Sequence, residues 1–407
     1  MNPVNQDLDP YRSSFDVRVP EELRYSVDLT HGVLDVRNPL LARYCEGRKA
    51  VLFASPTVDA LYGPAIRRYF EAHRPEGGWD YVVVPTGEHH KNLRTVETIC
   101  EHAKRCRMDR NGLLVAFGGG ILCDLVGFSA SIYKRGIRYI KVNTTLVGQI
   151  DVGVGVKTGV NFLASKNMLG TYYPAYASLN DPAFLHTLPL RQLSCGLAEI
   201  IKMAIILSRE LFELLEEHVD SMLCRRFVAS HWREMERDTR VLTLAMQLMI
   251  DELRPNLHEK NLERLVDFGH SFSPMIEIES DHRLYHGEAV AIDMALSSRI
   301  AVRLGLMRED DCERVLKLLR ACDLPCFDEE TCRHELLMQS LQEMHLHRGG
   351  RINLVVPTGL GSADFIRELQ ALPAEVVREA VRDLKRHRHR SPAAVPTAAH
   401  EEAVHVR

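Results

Sequence analysis

Residues 112–128 read GLLVAFGGGILCDLVGF, and this stretch decides the fold. The apolar run at 112–117 predicts a buried strand, and the apolar residues after the glycines predict a helix. Glycines at such a junction let backbone amides approach a pyrophosphate at the positive end of the helix. Because tight turns also need glycine and the order is not GxGxxG, this motif alone leaves both a dinucleotide site and a plain turn open.

The same pattern extends to both sides of this stretch. Residues 50–54, 81–84 and 138–142 are short apolar runs separated by helical stretches. Runs of this kind are typical of a parallel sheet with helices on both faces. The first part of the chain is therefore predicted to be an α/β, Rossmann-like nucleotide-binding domain.

From Leu188 onward the pattern changes. Apolar residues follow a 3.6-residue period at 192–218, 240–253 and 286–304, which predicts an all-α C-terminal domain. The predicted boundaries are a flexible tail at 1–20, the α/β domain at 21–185, the helical domain at 186–385 and a disordered tail at 386–407.

Composition excludes several classes of protein. The 407 residues are 45% hydrophobic with a formal net charge of -4, so neither a nucleic-acid partner nor an anionic membrane is expected. We find neither a signal-peptide pattern nor an apolar run of about 18 residues. The ten cysteines form no CxxC pair and are expected to be reduced thiols. These features predict a cytoplasmic protein.

One acid and two histidines are candidate metal ligands. His270 and His286 each stand beside a glycine, and Glu199 lies upstream in an apolar helical stretch. Carboxylate and neutral imidazole together suit zinc with a position left open for a substrate oxygen. Each histidine by itself could equally be a satisfied core or helix-end residue. Lys202, three residues after Glu199, is predicted to share its helix face, where buried charges need a partner or a metal.

Residues 151–170 form a glycine-rich, basic segment that contains Lys157, Lys166 and Asn167. Such a segment suits a phosphorylated or polyhydroxy ligand, although a surface turn is the alternative interpretation. Upstream, Arg135 offers a guanidinium suited to bidentate contact with phosphate, or it is an ordinary surface arginine.

Taken in order, these motifs resemble the sugar phosphate cyclases, the superfamily of dehydroquinate synthase. The resemblance spans residues 56–361 and rests on PTGEHHK at 85–91, GGGxxxD at 118–124, RG at 135–136, TTL at 144–146, Asp151 with Lys157, KN at 166–167, GLAE at 196–199, GH at 269–270 and HG at 286–287. It implies a dehydroquinate synthase-like fold, an active site in the cleft between the two domains, and a bound NAD that is reduced and reoxidised within each turnover.

The resemblance also implies roles for individual residues. The implied ligands of Zn²⁺ or Co²⁺ are Glu199, His270 and His286. The implied cofactor contacts are Glu88, Lys91, Gly119, Gly120, Asp124, Thr144, Thr145 and Lys166. The implied catalytic residues are Asp151, Lys157, Lys202, Asp267 and Arg135, and the implied substrate contacts are Asn167, Leu253, Arg264 and His347. Arg135 matches the phosphate-binding arginine of this family, which can come from a neighbouring subunit. The resemblance therefore implies a homodimer.

Two departures from the dehydroquinate synthase pattern narrow the activity. Asp267 replaces an asparagine and Pro274 replaces a histidine, and this form resembles the cyclases of sedoheptulose 7-phosphate. Within that group, Leu253, Asp267 and His347 resemble the 2-epi-5-epi-valiolone synthases. This implies a phosphate-eliminating lyase that acts by transient oxidation, elimination, re-reduction and intramolecular aldol closure. The alternatives are a desmethyl-4-deoxygadusol or other C7-cyclitol synthase, a 3-dehydroquinate synthase, and a metal-dependent polyol dehydrogenase.

Other departures affect the cofactor. Asn143 stands where the family has proline, and Ser55, followed by Thr57, stands where an acid would bind the adenosine ribose. Loss of that acid weakens the expected grip on a ribose hydroxyl, so NADP stays open beside NAD. His89 and His90 are adjacent on a predicted extended loop and are expected to face solvent.

Overall fold

The computed structural model describes residues 23–388 except residues 74, 164, 282 and 348. The predicted tail at 1–20 and residues 389–407 lie outside this described part. Its strands are β1 (Ser26–Leu29), β2 (Ala50–Ala54), β3 (Trp79–Val83), β4 (Leu113–Gly118), β5 (Arg138–Asn143), β6 (Lys157–Phe162), β7 (Ser165–Tyr172), β8 (Ala177–Asn180), β9 (Leu354–Gly359) and β10 (Ser362–Ile366).

The helices cluster mainly in the second half. They are α1 (Leu40–Cys45), α2 (Pro56–His73), α3 (Leu93–Arg105), α4 (Gly120–Ile132), α5 (Leu190–Leu207), α6 (Arg209–Cys224), α7 (Trp232–Leu253), α8 (Ser273–Glu279), α9 (His286–Arg303), α10 (Glu309–Ala321), α11 (His334–His347) and α12 (Ala374–Arg388).

Six parallel strands form the sheet of the first half, in the order β1-β8-β5-β4-β2-β3. The predicted runs at 50–54, 81–84, 112–117 and 138–142 are confirmed as β2 to β5. In β2, Val51 and Phe53 pack against α3 and α4, whereas Leu52 packs on the opposite face against α1 and α2. Burial on both faces explains why these strands read as continuous apolar runs.

Most of the glycine-rich segment at 151–170 forms paired strands, and not the surface turn that was the alternative interpretation of its sequence. A π-helical turn at Gly148–Val152 leads into the antiparallel hairpin β6–β7. Gly159 and Gly170 face each other across this hairpin, and a Cβ at Gly170 would lie 2.2 Å from the carbonyl oxygen of Thr158. The glycines therefore permit close pairing of two strands. In the sequence alone, such glycines cannot be told from those of a loop.

The second half is helical, as predicted, with one exception and two adjusted boundaries. The hairpin β9–β10 interrupts the helices because residues 354–356 form a short apolar run that is buried in the core of the helical half. The predicted helical stretch at 192–218 is two helices, since Ser208 ends α5 and caps α6 by accepting from the Leu211 N–H at 3.1 Å. The predicted disordered tail begins too early, because α12 continues through residues 386–388 and His387 Nε2 lies 2.8 Å from Arg299 Nη2.

The cleft lies where the two halves share a core. Leu146, Ile150 and Val154, which follow β5, pack into the same apolar cluster as α5 and α9. The π-helical turn Gly148–Val152 after β5 contacts α5 and α7 of the helical half. Within the described residues, no helix combines the length and hydropathy needed to cross a bilayer.

Candidate active site

The three candidate metal ligands converge on one point. Glu199 comes from α5, His270 from the turn before α8, and His286 from the first residue of α9. Glu199 Oε1 lies 3.2 Å from His286 Nε2 and 3.8 Å from His270 Nε2, and one ligand atom of each residue lies within 4.8 Å of the others. Glu199 therefore meets His270, 71 positions later in the chain, and His286, 87 positions later. One carboxylate and two imidazoles are a ligand set that suits zinc.

The surroundings of these side chains fit a bound cation. Glu199 is fully buried, and neither of its carboxylate oxygens accepts a hydrogen bond of normal geometry from the residues described, although Lys202 Nζ lies 2.6 Å from Oε2. Burial disfavours ionisation of Glu199, yet Lys202 and the two histidines hold its pKa well below the usual range. The carboxylate is thus charged and buried, and it faces two imidazoles.

The two histidines differ in their own environments. Burial, reinforced by Lys202, lowers the pKa of His270 to about 4, and its Nδ1 lies 3.1 Å from the carbonyl oxygen of Phe268. Burial also opposes charge on His286, but Glu199 and Glu277 raise its pKa to about 10. In both rings Nδ1 faces an oxygen acceptor, so Nε2 is the atom directed at Glu199.

A cavity of about 610 Å³ opens beside this cluster, between the hairpin β6–β7 and the helical half. The predicted site residues among those that line it are Asp124, Asp151, Lys157, Asn167, Lys202, Leu253, Arg264, Asp267, His270 and His286. Most of the predicted catalytic and substrate-binding residues are therefore brought to one chamber.

Charged pairs also line this cavity. Arg264 Nη2 lies 2.5 Å from Asp267 Oδ1, and Arg264 Nη1 contacts Glu259. Lys157 Nζ contacts Glu259 as well, and the hydroxyl of Tyr172 donates to Glu259 Oε2 at 3.4 Å. Glu259 was not predicted, because it lies in an irregular segment where the sequence offers neither a periodic pattern nor a motif.

A second cluster joins residues that the sequence assigned separately to cofactor and substrate. Lys91 Nζ lies 2.6 Å from Asp124 Oδ2 and donates to Asn167 Oδ1 at 2.5 Å. Burial raises the pKa of Asp124, and Lys91 opposes that effect. A neighbouring cavity is lined by Glu88, Lys91 and Lys166 among others. Lys91 lines this second cavity and contacts Asp124 and Asn167, which line the first, so it connects the two chambers.

The glycine junction has the geometry expected of a dinucleotide cradle. Gly119 caps α4, and a Cβ at this position would lie 2.9 Å from Thr145 Cγ2. Thr144 follows β5 beside it, and its N–H donates to the Gly118 carbonyl at 3.0 Å. The strand order reverses between β2 and β4, so this junction lies at the switch point where α/β sheets bind nucleotides. Gly120 is the first residue of α4.

Ser55 has a structural task at the neighbouring strand end. It follows β2 and accepts the Val58 N–H at 3.2 Å, which caps the first turn of α2. Its position at the switch point agrees with the alignment that puts it where the family carries an acid. His89 and His90 are exposed, as predicted.

Two of the residues predicted to act in catalysis or to bind the substrate do not reach the cavity. Arg135 is exposed in a turn after α4 with φ 68°, and His347 is exposed at the end of α11; among the residues described, neither lines either chamber. The substrate contact implied for His347 stays a prediction, with its side chain exposed at the end of α11. Lys166, predicted to bind the cofactor, lines the second cavity and pairs with Glu277 Oε2 at 2.8 Å.

Sequence comparison places this geometry in a family. Profiles described as 3-dehydroquinate synthase N-terminal and C-terminal match residues 81–195 and 196–345. The 2-epi-5-epi-valiolone synthase of Streptomyces glaucescens is 54% identical over 372 residues, which cover 91% of this chain and 94% of that protein.

Solved structures give the same result. The 2-epi-5-epi-valiolone synthase of Streptomyces hygroscopicus subsp. jinggangensis, solved with NAD+ and Zn²⁺ bound, is 37% identical with a TM-score of 0.84, and the match covers 92% of this chain and 100% of that one. A 2-deoxy-scyllo-inosose synthase, 23% identical with a TM-score of 0.73, covers 86% of this chain and 95% of its own and shares the fold. The chain is an enzyme of the sugar phosphate cyclase superfamily, in the family of 3-dehydroquinate synthase.

Proposed function

We propose that this enzyme converts sedoheptulose 7-phosphate into 2-epi-5-epi-valiolone and inorganic phosphate. The observation that carries the proposal is the convergence of Glu199, His270 and His286 on a cavity that also holds the Arg264–Asp267 pair. The 54% identical relative bears the name of this activity. The conversion removes the elements of phosphoric acid from the sugar and closes the ring, so it needs neither water nor a net oxidant.

The chain has residues that suit both groups this chemistry requires. Glu199, His270 and His286 would hold Zn²⁺ or Co²⁺, and Gly119, Gly120, Thr144 and Thr145 would form the cradle for NAD. When bound, the cation polarises a substrate oxygen, and the nicotinamide takes up a hydride and returns it.

The remaining side chains would bind and orient the sugar. Arg264 and Asp267, fixed against each other, offer donors and an acceptor to its hydroxyl groups. Lys157, the first residue of β6, contacts Glu259 beside Arg264, and its ammonium would stabilise the charge of the departing phosphate. Lys202 keeps the Glu199 carboxylate ionised at the centre of the site.

We also infer a homodimer from the position of Arg135. This arginine is exposed and remote from the cavity of its own subunit, so Arg135 of the partner subunit would complete the phosphate site. Mixing two inactive variants, Arg135→Ala and Glu199→Gln, tests whether the subunits share their active sites. Recovery of about a quarter of the full activity in an equimolar mixture supports shared sites, whereas no recovery contradicts them.

Phosphate release and nicotinamide absorbance together test the activity. With sedoheptulose 7-phosphate, NAD and Zn²⁺, we expect inorganic phosphate to accumulate in proportion to substrate while NADH does not. Glu199→Gln, which keeps the size of the side chain but removes its charge, should abolish release. Accumulation of NADH without phosphate would instead identify a polyol dehydrogenase.

A further inference from the structure

Asp293 fixes the backbone turn that follows the candidate ligand His270. It lies fully buried on α9, and its Oδ2 accepts the N–H groups of Phe272 and Ser273 at 2.5 and 3.0 Å. Its Oδ1 accepts the hydroxyl of Ser297, one turn later on the same helix, at 3.0 Å. Both oxygens are therefore engaged, and the carboxylate joins α9 to the turn.

The helix that carries Asp293 also provides a second ligand. His286 is the first residue of α9, and Asp293 follows it by about two helical turns, so both side chains lie on the same side of the helix. The imidazole rings of His270 and His286 have their centroids 5.2 Å apart. The position of one ring relative to the other thus depends on a single helix and on the bonds of Asp293 to the turn.

The third ligand is fixed to α9 by direct packing of two helices. A Cβ atom at Gly287, next to His286, would lie 2.4 Å from Cys195 Cα on α5. Such close packing leaves the two helices little room to shift. Glu199 lies about one turn after Cys195 on α5, so this contact sets its distance from His286. The remaining ligand, His270, lies outside any helix.

The turn around His270 needs a constraint from elsewhere in the fold. Gly269 adopts a φ of 76°, so no regular ladder of backbone hydrogen bonds holds this segment. Zinc–nitrogen bonds vary little around about 2.0–2.1 Å, and a ring that is already in place when the cation arrives binds it without an ordering cost. A side chain that fixes the turn should therefore raise the affinity of the site.

We propose that Asp293 is a positioning residue of the metal site, which holds His270 at the distance from His286 and Glu199 that Zn²⁺ requires. The inference rests on the proposed function, since it concerns the cation that this chemistry requires. Among the residues described, Asp293 lines neither of the two chambers. It acts through the backbone of the turn and not by contact with the substrate.

The hydrogen bonds of Asp293 and its negative charge lead to different expectations. Because the bonds are what positions the turn, Asp293→Asn should bind Zn²⁺ within about threefold of the unsubstituted protein, since one amide oxygen can accept both N–H groups while the amide nitrogen donates to Ser297. Asp293→Leu, which is similar in size but accepts no hydrogen bond, should bind Zn²⁺ at least about tenfold more weakly. Equal losses in the two variants would mean that only the charge matters.

Zinc affinity is measured with the full chain by competition with a chromophoric chelator. Glu199→Gln, which lacks one ligand charge, gives the background from other zinc-binding groups. Because this readout needs no turnover, failure of the proposed activity and failure of this inference are separate results. Full zinc affinity in Glu199→Gln would reject the metal site itself, and this proposal with it.

Asp181→Leu is the matched control. Asp181 is 2% exposed in the nucleotide-binding half and also accepts two backbone N–H groups, from Val33 at 2.7 Å and from Ala183 at 2.9 Å. The control should lose stability for the same reason as Asp293→Leu, yet keep its zinc affinity. A loss of zinc affinity shared by both variants would show that reduced stability is the cause.

Ser340→Ala keeps the test decisive if Asp293→Leu does not fold. From α11, the hydroxyl of Ser340 donates to the carbonyl oxygen of Ser271, next to His270, at 2.7 Å. Loss of this single bond to the same turn should weaken zinc binding by about threefold. The absorption bands of bound Co²⁺, which depend on ligand geometry, should shift in this variant and stay in place in Asp181→Leu. Unchanged zinc affinity and unshifted bands in Ser340→Ala and in Asp293→Leu, or equal losses in Asp293→Asn and Asp293→Leu, would overturn the proposal.

Discussion

Glu277 Oε1 lies 2.7 Å from His286 Nδ1, on the side of the imidazole opposite Glu199. The other carboxylate oxygen, Oε2, lies 2.8 Å from Lys166 Nζ on the hairpin β6–β7. Burial works against charge on Glu277, but His286 and Lys166 lower its pKa to about 2. One buried carboxylate therefore links the nucleotide-binding half to a candidate metal ligand in the helical half.

Removal of this carboxylate should weaken metal binding. Glu277→Ala leaves the His286 ring without the acceptor that orients it, and we expect zinc affinity to fall by about 10- to 100-fold. Competition with a chromophoric chelator measures this directly. Glu279→Gln is the matched control on the same helix, because Glu279 pairs with Arg333 at the surface. Unchanged zinc affinity in Glu277→Ala would show that the ring is held by other contacts.

Lys141 should stabilise the turn that carries Asp151. It is 1% exposed on β5 and donates to the carbonyl oxygens of Val152 at 2.6 Å and Gly155 at 2.9 Å. Lys141→Met leaves both carbonyls without this donor, so we expect a loss of about 2 kcal/mol in the free energy of unfolding, with a lower kcat/KM. Denaturant titration checks it against Lys104→Met, an exposed lysine on α3. Equal stability of the two variants would refute the role.

A side chain at Gly119 should block the cofactor cradle. The added Cβ would lie 2.9 Å from Thr145 Cγ2, closer than ordinary contacts allow, and would also cover the backbone at the start of α4. We expect Gly119→Ala to weaken NAD binding at least about tenfold, measured by calorimetry. Gly359→Ala, where the new Cβ meets Ser362 Oγ at 3.4 Å in a remote hairpin, should bind NAD normally. Normal NAD binding by Gly119→Ala would show that the cofactor binds elsewhere in the protein.

Asp293 should make stability depend on pH. Its Oδ2 accepts the N–H groups of Phe272 and Ser273 at 2.5 and 3.0 Å, and its Oδ1 accepts the Ser297 hydroxyl at 3.0 Å. Burial raises the pKa of this carboxyl from 3.8 to about 6 despite these bonds. Since the folded pKa is above the unfolded one, the protonated form favours folding, and this contribution is lost as pH rises through about 6.

The variant Asp293→Asn removes that titration. Its stability deficit relative to the unsubstituted protein should shrink by about 1 kcal/mol between pH 5 and pH 7. Urea unfolding at several pH values gives the difference. A deficit that is constant across this range would mean that Asp293 has an ordinary pKa in the folded state.

The sequence predicted the parts of the fold that rest on repeating patterns. Strands β2 to β5 are buried on both faces and read as apolar runs, and the α4 junction was recognisable from its glycines. The hairpin β6–β7 was not, because its strands are rich in glycine, lysine and asparagine and one of them is largely exposed. The polar composition of this hairpin suits a surface that faces a ligand, and it gives no indication that the backbone is extended.

Site residues were predictable where a family motif marks them. Glu199, His270 and His286 meet as the resemblance implied. Glu277 and Glu259 carry no such mark, because each acts through a partner that the chain brings near only on folding. A signal did exist for Lys141, since a lysine within the apolar run at 138–142 predicts a buried ammonium that needs acceptors.

The identity of the product tests the central claim most directly. Proton NMR of the product formed from sedoheptulose 7-phosphate, with NAD and Zn²⁺ present, should show 2-epi-5-epi-valiolone as the single cyclitol, together with an equal amount of inorganic phosphate. An ultraviolet-absorbing enolic product, or an oxidised sugar that keeps its phosphate, would contradict the account.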